Sequence, residues 1–202
     1  MGSENWTFFR AFLKSPRVVA SIIPSSSYLE RRVVRAADLA SASVVVELGA
    51  GTGGVTRALL QAMSPQARLL AIERTAVFVE NLRRIDGTRL DVVHGCASSI
   101  GAQLKRSGYS AADAVVSGIP FSTLPESLAS AILAAVHSAL SPGGRFVAYQ
   151  FVDRVVDYAE PLLGEPEVEH ELRNLPPLRV FTWRKAAGPE EGRRHNSTGT
   201  GD

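Results

Sequence analysis

The run Val44-Val45-Val46-Glu47-Leu48-Gly49-Ala50-Gly51-Thr52-Gly53-Gly54-Val55-Thr56 constrains this chain more than any other stretch. Three β-branched residues in a row favour a strand buried on both faces. The glycines after them permit a tight turn and close approach of backbone to a ligand, and the residues that follow open a helix. Glu73 ends the next β-rich run, 22 residues beyond Gly51, with Arg74 beside it. A carboxylate at that place suits the two ribose hydroxyls of an adenosine. Gly49, Gly51 and Gly54 also fit a G-x-G-x-x-G dinucleotide pattern, which is weak by itself. Glu47 argues against a dinucleotide, because a carboxylate beside the loop repels a pyrophosphate and attracts an ammonium.

The same alternation continues along the chain. Strand-like runs fall at Ser43–Leu48, Arg68–Ile72, Leu90–His94, Asp113–Ser117 and Arg145–Phe151. Helix-like stretches at Gly53–Met63, Thr75–Ile85, Ala97–Ser107 and Pro125–Leu140 separate them. Such alternation predicts βαβ units on a parallel sheet. Ser141-Pro142-Gly143-Gly144 predicts a helix stop and a turn. Val168–Leu172 and Leu178–Arg184, joined through Asn174-Leu175-Pro176-Pro177, predict a closing hairpin in place of another crossover.

A chain of 202 residues with 45% hydrophobic residues can bury its own core,. Its single cysteine, Cys96, excludes a disulfide framework, and four scattered histidines predict no metal site,. Residues 1–15 hold no continuous apolar stretch of signal-peptide type, and no run reaches the ~20 apolar residues that span a bilayer. The expectation is a cytoplasmic protein in three parts: residues 1–40 as N-terminal amphipathic and cap helices, 41–187 as the ligand-binding domain, and 188–202 as a disordered tail. Net charge is +2, yet residues 1–40 carry six Lys/Arg against three acids. That basic leading edge points to a polyanionic surface, lipid headgroups or nucleic acid, or to a solvated helix face.

Glu47-Leu48-Gly49-Ala50-Gly51-Thr52-Gly53 resembles the first motif of the class I S-adenosylmethionine (SAM) methyltransferases. The resemblance implies a Rossmann-like α/β fold, a mostly parallel seven-stranded sheet ending in an antiparallel hairpin, with helices on both faces. It implies SAM as cofactor and S-adenosylhomocysteine as product. The residues expected around the cofactor are Ser25, Ser26, Glu47, Gly49, Ala50, Gly51, Gly53, Glu73, Arg74, Gly95, Cys96, Ala97 and Ser117. Two positions depart from the family pattern. Cys96 stands where an Asp commonly meets the adenine, and a thiol is a poor acceptor. Ser117-Gly118-Ile119-Pro120-Phe121 stands where adenine-N6 methyltransferases carry an Asn/Asp-Pro-Pro-aromatic motif, so the amide that grips a nucleobase is lost. That substitution favours another amine.

Phe8–Pro16, Ile23–Leu29, the glycine loop, Ser117–Pro125 and Asn174–Pro177 together resemble the soluble-type bacterial phospholipid N-methyltransferases, relatives of the rRNA adenine dimethylases. The resemblance implies methylation of phosphatidylethanolamine toward phosphatidylcholine, by a monomer peripherally bound to the cytoplasmic membrane, without a nucleic-acid partner. Trp6, Phe8, Phe9, Phe12 and Leu13 fall on one helical arc, flanked by Arg10 and Lys14, a pattern suited to the lipid interface. Arg10, Lys14 and Arg17 are candidate cations for anionic lipid. Pro24–Ser27 is expected to close the pocket, with Tyr28 toward the headgroup. Tyr28, Ser117 and the Ile119 carbonyl are candidates to orient the amine. Other acceptors stay open: ornithine lipid, a small-molecule amine, or an RNA or DNA adenine. A noncatalytic SAM-binding membrane module is the alternative of a different class.

Overall fold

The structure, a computed structural model, describes residues 26–85, 87–174 and 177–187. The β-rich runs form seven strands: β1 (Val44–Leu48), β2 (Arg68–Glu73), β3 (Leu90–His94), β4 (Ala112–Ser117), β5 (Leu140–Gln150), β6 (Glu167–Glu171) and β7 (Leu178–Arg184). They make one sheet in the order β3-β2-β1-β4-β5-β7-β6. The first five pair in parallel, with Val44↔Arg68 and Val45↔Ala114 setting the central register. β7 runs antiparallel to both β5 and β6, which makes the expected closing hairpin.

Helices cover both faces. Alternate strand residues point to opposite sides, so Val45 and Val46 enter different clusters. Val46, Leu48, Leu70, Ile72, Val115 and Phe146 pack under α4 (Ile100–Arg106), α5 (Glu126–Ala139) and α6 (Arg154–Leu163). Val45, Leu69, Ala114, Val116 and Val147 pack under α1 (Ser27–Ala37) and α2 (Gly54–Ala62). On that same side α3 (Ala76–Arg83) sets Leu82 against Ala71. α5 buries Ala129, Ile132, Leu133 and Val136, the spacing of one helical stripe. Among the described residues no helix is long and apolar enough to cross a membrane.

Two expectations need correction. Ser141–Gly144 is not a free turn between elements. α5 ends at Ala139, as the breaker residues require, but β5 begins at once with Leu140. Its ladder with β4 jumps from Ala112↔Leu140 to Ala114↔Arg145, so the breakers are absorbed as an irregularity within the strand. The second correction is α6, where no helix was expected. Val155, Val156, Ala159, Leu162 and Leu163 do repeat at helical spacing, and Val155 and Ala159 are buried, but Pro161 interrupts the run,.

α1 is tied to the far edge of the sheet, and this joins two sequence motifs. Ser26 caps α1, its hydroxyl accepting from Leu29 N at 3.2 Å. Its own N–H donates to Asn174 Oδ1 at 3.1 Å, so the serine turn and the Asn-Leu-Pro-Pro hairpin meet across 148 residues. Leu175 and Pro176 of that hairpin lie outside the described residues. Arg32 bridges Glu169 and Glu171, donating Nε to Glu171 Oε2 at 3.0 Å. Glu171, buried, also accepts from Arg173 N and Nε at 3.0 Å. Arg173 foremost, then Arg32, hold the Glu171 carboxyl down to about 2.

Glu171→Gln is expected to lower the unfolding free energy by about 1–3 kcal/mol in urea at pH 7, the size of a lost charged hydrogen bond. A depressed carboxyl contributes stability above its unfolded value of 4.5 and loses it as pH falls. The gap between variant and wild type should therefore narrow between pH 5 and pH 3. A gap independent of pH would contradict this ion-pair assignment.

Candidate functional site

The parallel strands β1 to β4 end on one edge, and their loops build the site there. Three loops leave through a glycine whose N–H extends the ladder. Gly49 N donates to Ile72 O at 2.9 Å, Gly95 N to Glu73 O at 3.0 Å, and Gly118 N to Leu48 O at 2.9 Å. Gly49 has φ +71°, and a Cβ there would stand 2.9 Å from the Ile119 side chain. Only glycine suits both demands.

Glu73 at the end of β2 binds the glycine loop. Its Oε2 accepts from Gly51 N at 3.0 Å and its Oε1 from Thr75 N at 2.8 Å. Each oxygen keeps a further lone pair, and the carboxylate lines a cleft of about 240 Å³. Gly49, Ala50, Gly51, Arg74, Gly95, Cys96, Ala97 and Ile119 line the same cleft, so most of the expected cofactor-binding set is brought together.

Glu47 lies behind the loop, fully buried. Thr56 Oγ1 donates to its Oε2 at 2.6 Å, while Oε1 has no hydrogen-bond partner. Burial, opposed by the Thr56 bond and reinforced by the Glu73 charge, pushes its ionisation up to about 7. A nucleoside with a cationic amino-acid arm fits this arrangement: Glu73 for ribose, and the unsatisfied Glu47 carboxylate as a source of negative field behind the loop.

Other expected residues sit outside the cleft wall. Ser26 caps α1, and Gly53 caps α2. Ser117 is buried, its hydroxyl accepting from Ile119 N at 3.3 Å. Tyr28 is 41% exposed and carries the guanidinium of Arg173 at 4.1 Å and of Arg31 at 4.8 Å from its ring centre. Ser25, Trp6, Phe9, Arg10, Phe12, Leu13, Lys14 and Arg17 lie outside the described residues, as does the tail 188–202.

Several functional positions escaped the sequence reading. Phe78, Leu124, Leu128 and Ile132 form an apolar wall of the cleft. Leu128 and Ile132 are four apart on α5, so the helical period held a signal. Gln150, at the end of β5, pins the loop after β4: its Nε2 donates to Ile119 O at 2.7 Å and its Oε1 accepts from Phe121 N at 3.3 Å. Tyr149, beside it in sequence, lines the cleft. Burial first, then the charges of Glu47, Glu73 and Glu30, keep its phenol protonated well above the ordinary range. At the other end Ser98 Oγ donates to Cys96 Sγ at 3.2 Å. That bond foremost, opposed by burial and aided by the Arg74 charge, lowers the thiol's ionisation.

Comparison with known proteins adds to this geometry. Residues 45–144 match a family model described as a methyltransferase domain. The chain is 34% identical over 180 residues to the ornithine lipid N-methyltransferase of Singulisphaera acidiphila, covering 88% of this chain and 94% of that protein. It is 35% identical over 94 residues to ribosomal RNA small subunit methyltransferase A of Caulobacter vibrioides, covering 45% of this chain and 34% of that protein. Among solved structures, the N-methyltransferase NodS from Bradyrhizobium japonicum superposes with a TM-score of 0.60 at 13% identity, over 78% of this chain and 94% of that one. The 1,6-didemethyltoxoflavin-N1-methyltransferase of Burkholderia thailandensis, solved with its substrate and S-adenosylhomocysteine, gives 0.60 at 17% identity, over 90% and 87%. At such identities these structures speak for the fold alone.

The raised Glu47 carboxyl has a testable consequence. Its folded value near 7 lies above the unfolded 4.5, so the native state holds an extra proton between them and loses stability as pH rises through that window. From pH 5.5 to 7.5 the wild type is expected to lose roughly 2 kcal/mol that Glu47→Gln does not lose. Parallel urea titrations at the two pH values measure this, and equal losses in both proteins would contradict it.

Proposed function

Because the chain belongs to the class I SAM-dependent methyltransferases and is an N-methyltransferase, we propose that its acceptor is the primary amine of a lipid headgroup, ornithine lipid foremost. One observation of the site carries the choice of amine. Among the described residues lining the cleft, none has a side-chain amide, and Ser117 is buried where a nucleobase-gripping Asn would stand. An aliphatic amine needs no such planar clamp. The ornithine lipid relative, matched over 94% of its length, favours that lipid over the phosphatidylethanolamine that the sequence resemblance implied.

In this reading Glu73 holds the ribose, and Glu47 biases the loop toward the cofactor's ammonium. Cys96, Ala97, Leu124 and Leu128 enclose the adenine. When bound, SAM supplies an electrophilic methyl on a sulfonium. A primary amine has a pKa of about 10, so freeing its lone pair at pH 7 costs roughly 4 kcal/mol. The apolar wall and the neighbouring sulfonium charge reduce that cost by disfavouring the ammonium. The amine then forms the N–C bond, the C–S electron pair stays on sulfur, and the surplus proton leaves to water. The Ile119 carbonyl, pinned by Gln150, orients the nucleophile. The protein works at a membrane surface, with residues 6–17 as the first contact. The exposed Tyr28 with its two guanidiniums, and Leu172, 74% exposed on the adjoining hairpin, support a lipid-facing edge beside the start of α1.

Methyl transfer from labelled SAM tests this directly. Vesicles containing ornithine lipid are expected to take label, with phosphatidylethanolamine vesicles and structured RNA run in parallel. Label in phosphatidylethanolamine alone would overturn the choice of ornithine lipid, and label in RNA alone would overturn the lipid reading.

A further inference from the structure

Tyr149 is a polar side chain at the cleft that the proposed chemistry leaves unused. It stands at the C-terminal end of β5, one residue before the glutamine that pins the Ile119 carbonyl. Its ring packs against the cluster that joins α1 and α2 to the sheet. Its side chain lines the cleft, and its hydroxyl makes no hydrogen bond among the described residues.

The position of that hydroxyl is built. Gly118 lies where a Cβ would collide with the Tyr149 hydroxyl, stand 2.8 Å from its Cζ and 3.0 Å from Gly49 O. The missing side chain of Gly118 therefore admits the phenol to the seam between two loops, the one after β1 and the one after β4. That seam is where the glycine loop meets the amide and side chain of Ile119. The charges around the phenol are Glu47 on β1, Glu73 on β2 and Glu30 on α1. A neutral phenol near three carboxylates is no proton acceptor for an ammonium; it is a hydrogen-bonding group.

We infer that the Tyr149 hydroxyl orients the acceptor amine by accepting one of its N–H bonds, so that the nitrogen lone pair faces the methyl. The direction follows from the chemistry. A phenol donating to the nitrogen would occupy the electron pair that must form the N–C bond. With N–H donating to the phenol oxygen, that pair stays free. This role rests on the amine acceptor proposed above, and it adds a consequence of its own. A neutral primary amine has two N–H bonds, its monomethyl product one, and its dimethyl product none. Tyr149 therefore assists the first two transfers and is indifferent to a third. The first two transfers balance alike: the N–C bond forms from the lone pair, the C–S pair stays on sulfur, and a proton goes from the new ammonium to water. A third forms the same bond but leaves a quaternary ammonium that has no proton to release.

The test is Tyr149→Phe in the full chain, assayed with unmethylated, monomethylated and dimethylated lipid amines supplied separately. The expected result is a kcat loss of about tenfold on the unmethylated acceptor, the scale of one lost hydrogen bond. The loss should shrink with each methyl and vanish on the dimethyl acceptor. Affinity for S-adenosylhomocysteine should stay within about twofold, since the cofactor is not the partner. Equal loss on every acceptor would overturn the inference in favour of a packing role, and a matching fall in S-adenosylhomocysteine affinity would overturn it in favour of a cofactor contact.

A second measurement keeps the two proposals separable. Binding of n-butylamine to the S-adenosylhomocysteine complex, followed by calorimetry at pH 9, reports the amine site without any lipid. Weaker binding in Tyr149→Phe, by several-fold, supports the assignment even if no lipid is methylated. Unchanged binding overturns it even if ornithine lipid is the substrate.

Discussion

Three glycine amides hold this site together. Gly49, Gly95 and Gly118 each carry the parallel ladder one hydrogen bond past the strand before them. The sheet thereby sets where three loops begin, and everything functional hangs from those starting points. Glu73 completes the arrangement by accepting from Gly51 in the glycine loop. Because these bonds are made by backbone groups on rigid strands, the loops share one geometry without relying on their own weak packing. Gly118 extends the same logic, since its bareness admits Tyr149 to the loop seam.

Electrostatics at the edge follows from the same topology. Glu47, next to last in β1, and Glu73, last in β2, put two carboxyls within electrostatic reach of each other at one edge of a buried parallel sheet. One is partnered by backbone amides and faces the cleft. The other is fully buried with an oxygen unsatisfied. A buried, half-satisfied carboxylate is costly in the empty protein. It becomes favourable when a cation arrives, so the sheet stores a preference for a cationic ligand. A SAM enzyme has such a ligand.

Much of this was legible in the residues. The valine run, the glycine loop and Glu73 carry their meaning locally, through strand burial, turn geometry and spacing. β3 and β7 fall where their apolar patterns place them. α6 was masked by Pro161, although its apolar residues fall at helical spacing. The start of β5 was hidden because a strand can absorb Pro142, Gly143 and Gly144 as an irregularity beside β4. Long-range partners were hidden in another way. Nothing local links Ser26 to Asn174, or Gln150 to Ile119, and only the sheet order brings them together. Tyr149 belongs to that class: a tyrosine ending a strand reads as core until Gly118 is seen beside it.

The central claim is that the glutamate ending β2 binds the cofactor's ribose while tying down the glycine loop. Isothermal titration of S-adenosylhomocysteine into wild type and Glu73→Gln tests it most directly. Loss of charged hydrogen bonds to the ribose should weaken binding by about 10- to 100-fold, equivalent to roughly 1.4–3 kcal/mol. Affinity within twofold of wild type in a variant that still folds would contradict the claim.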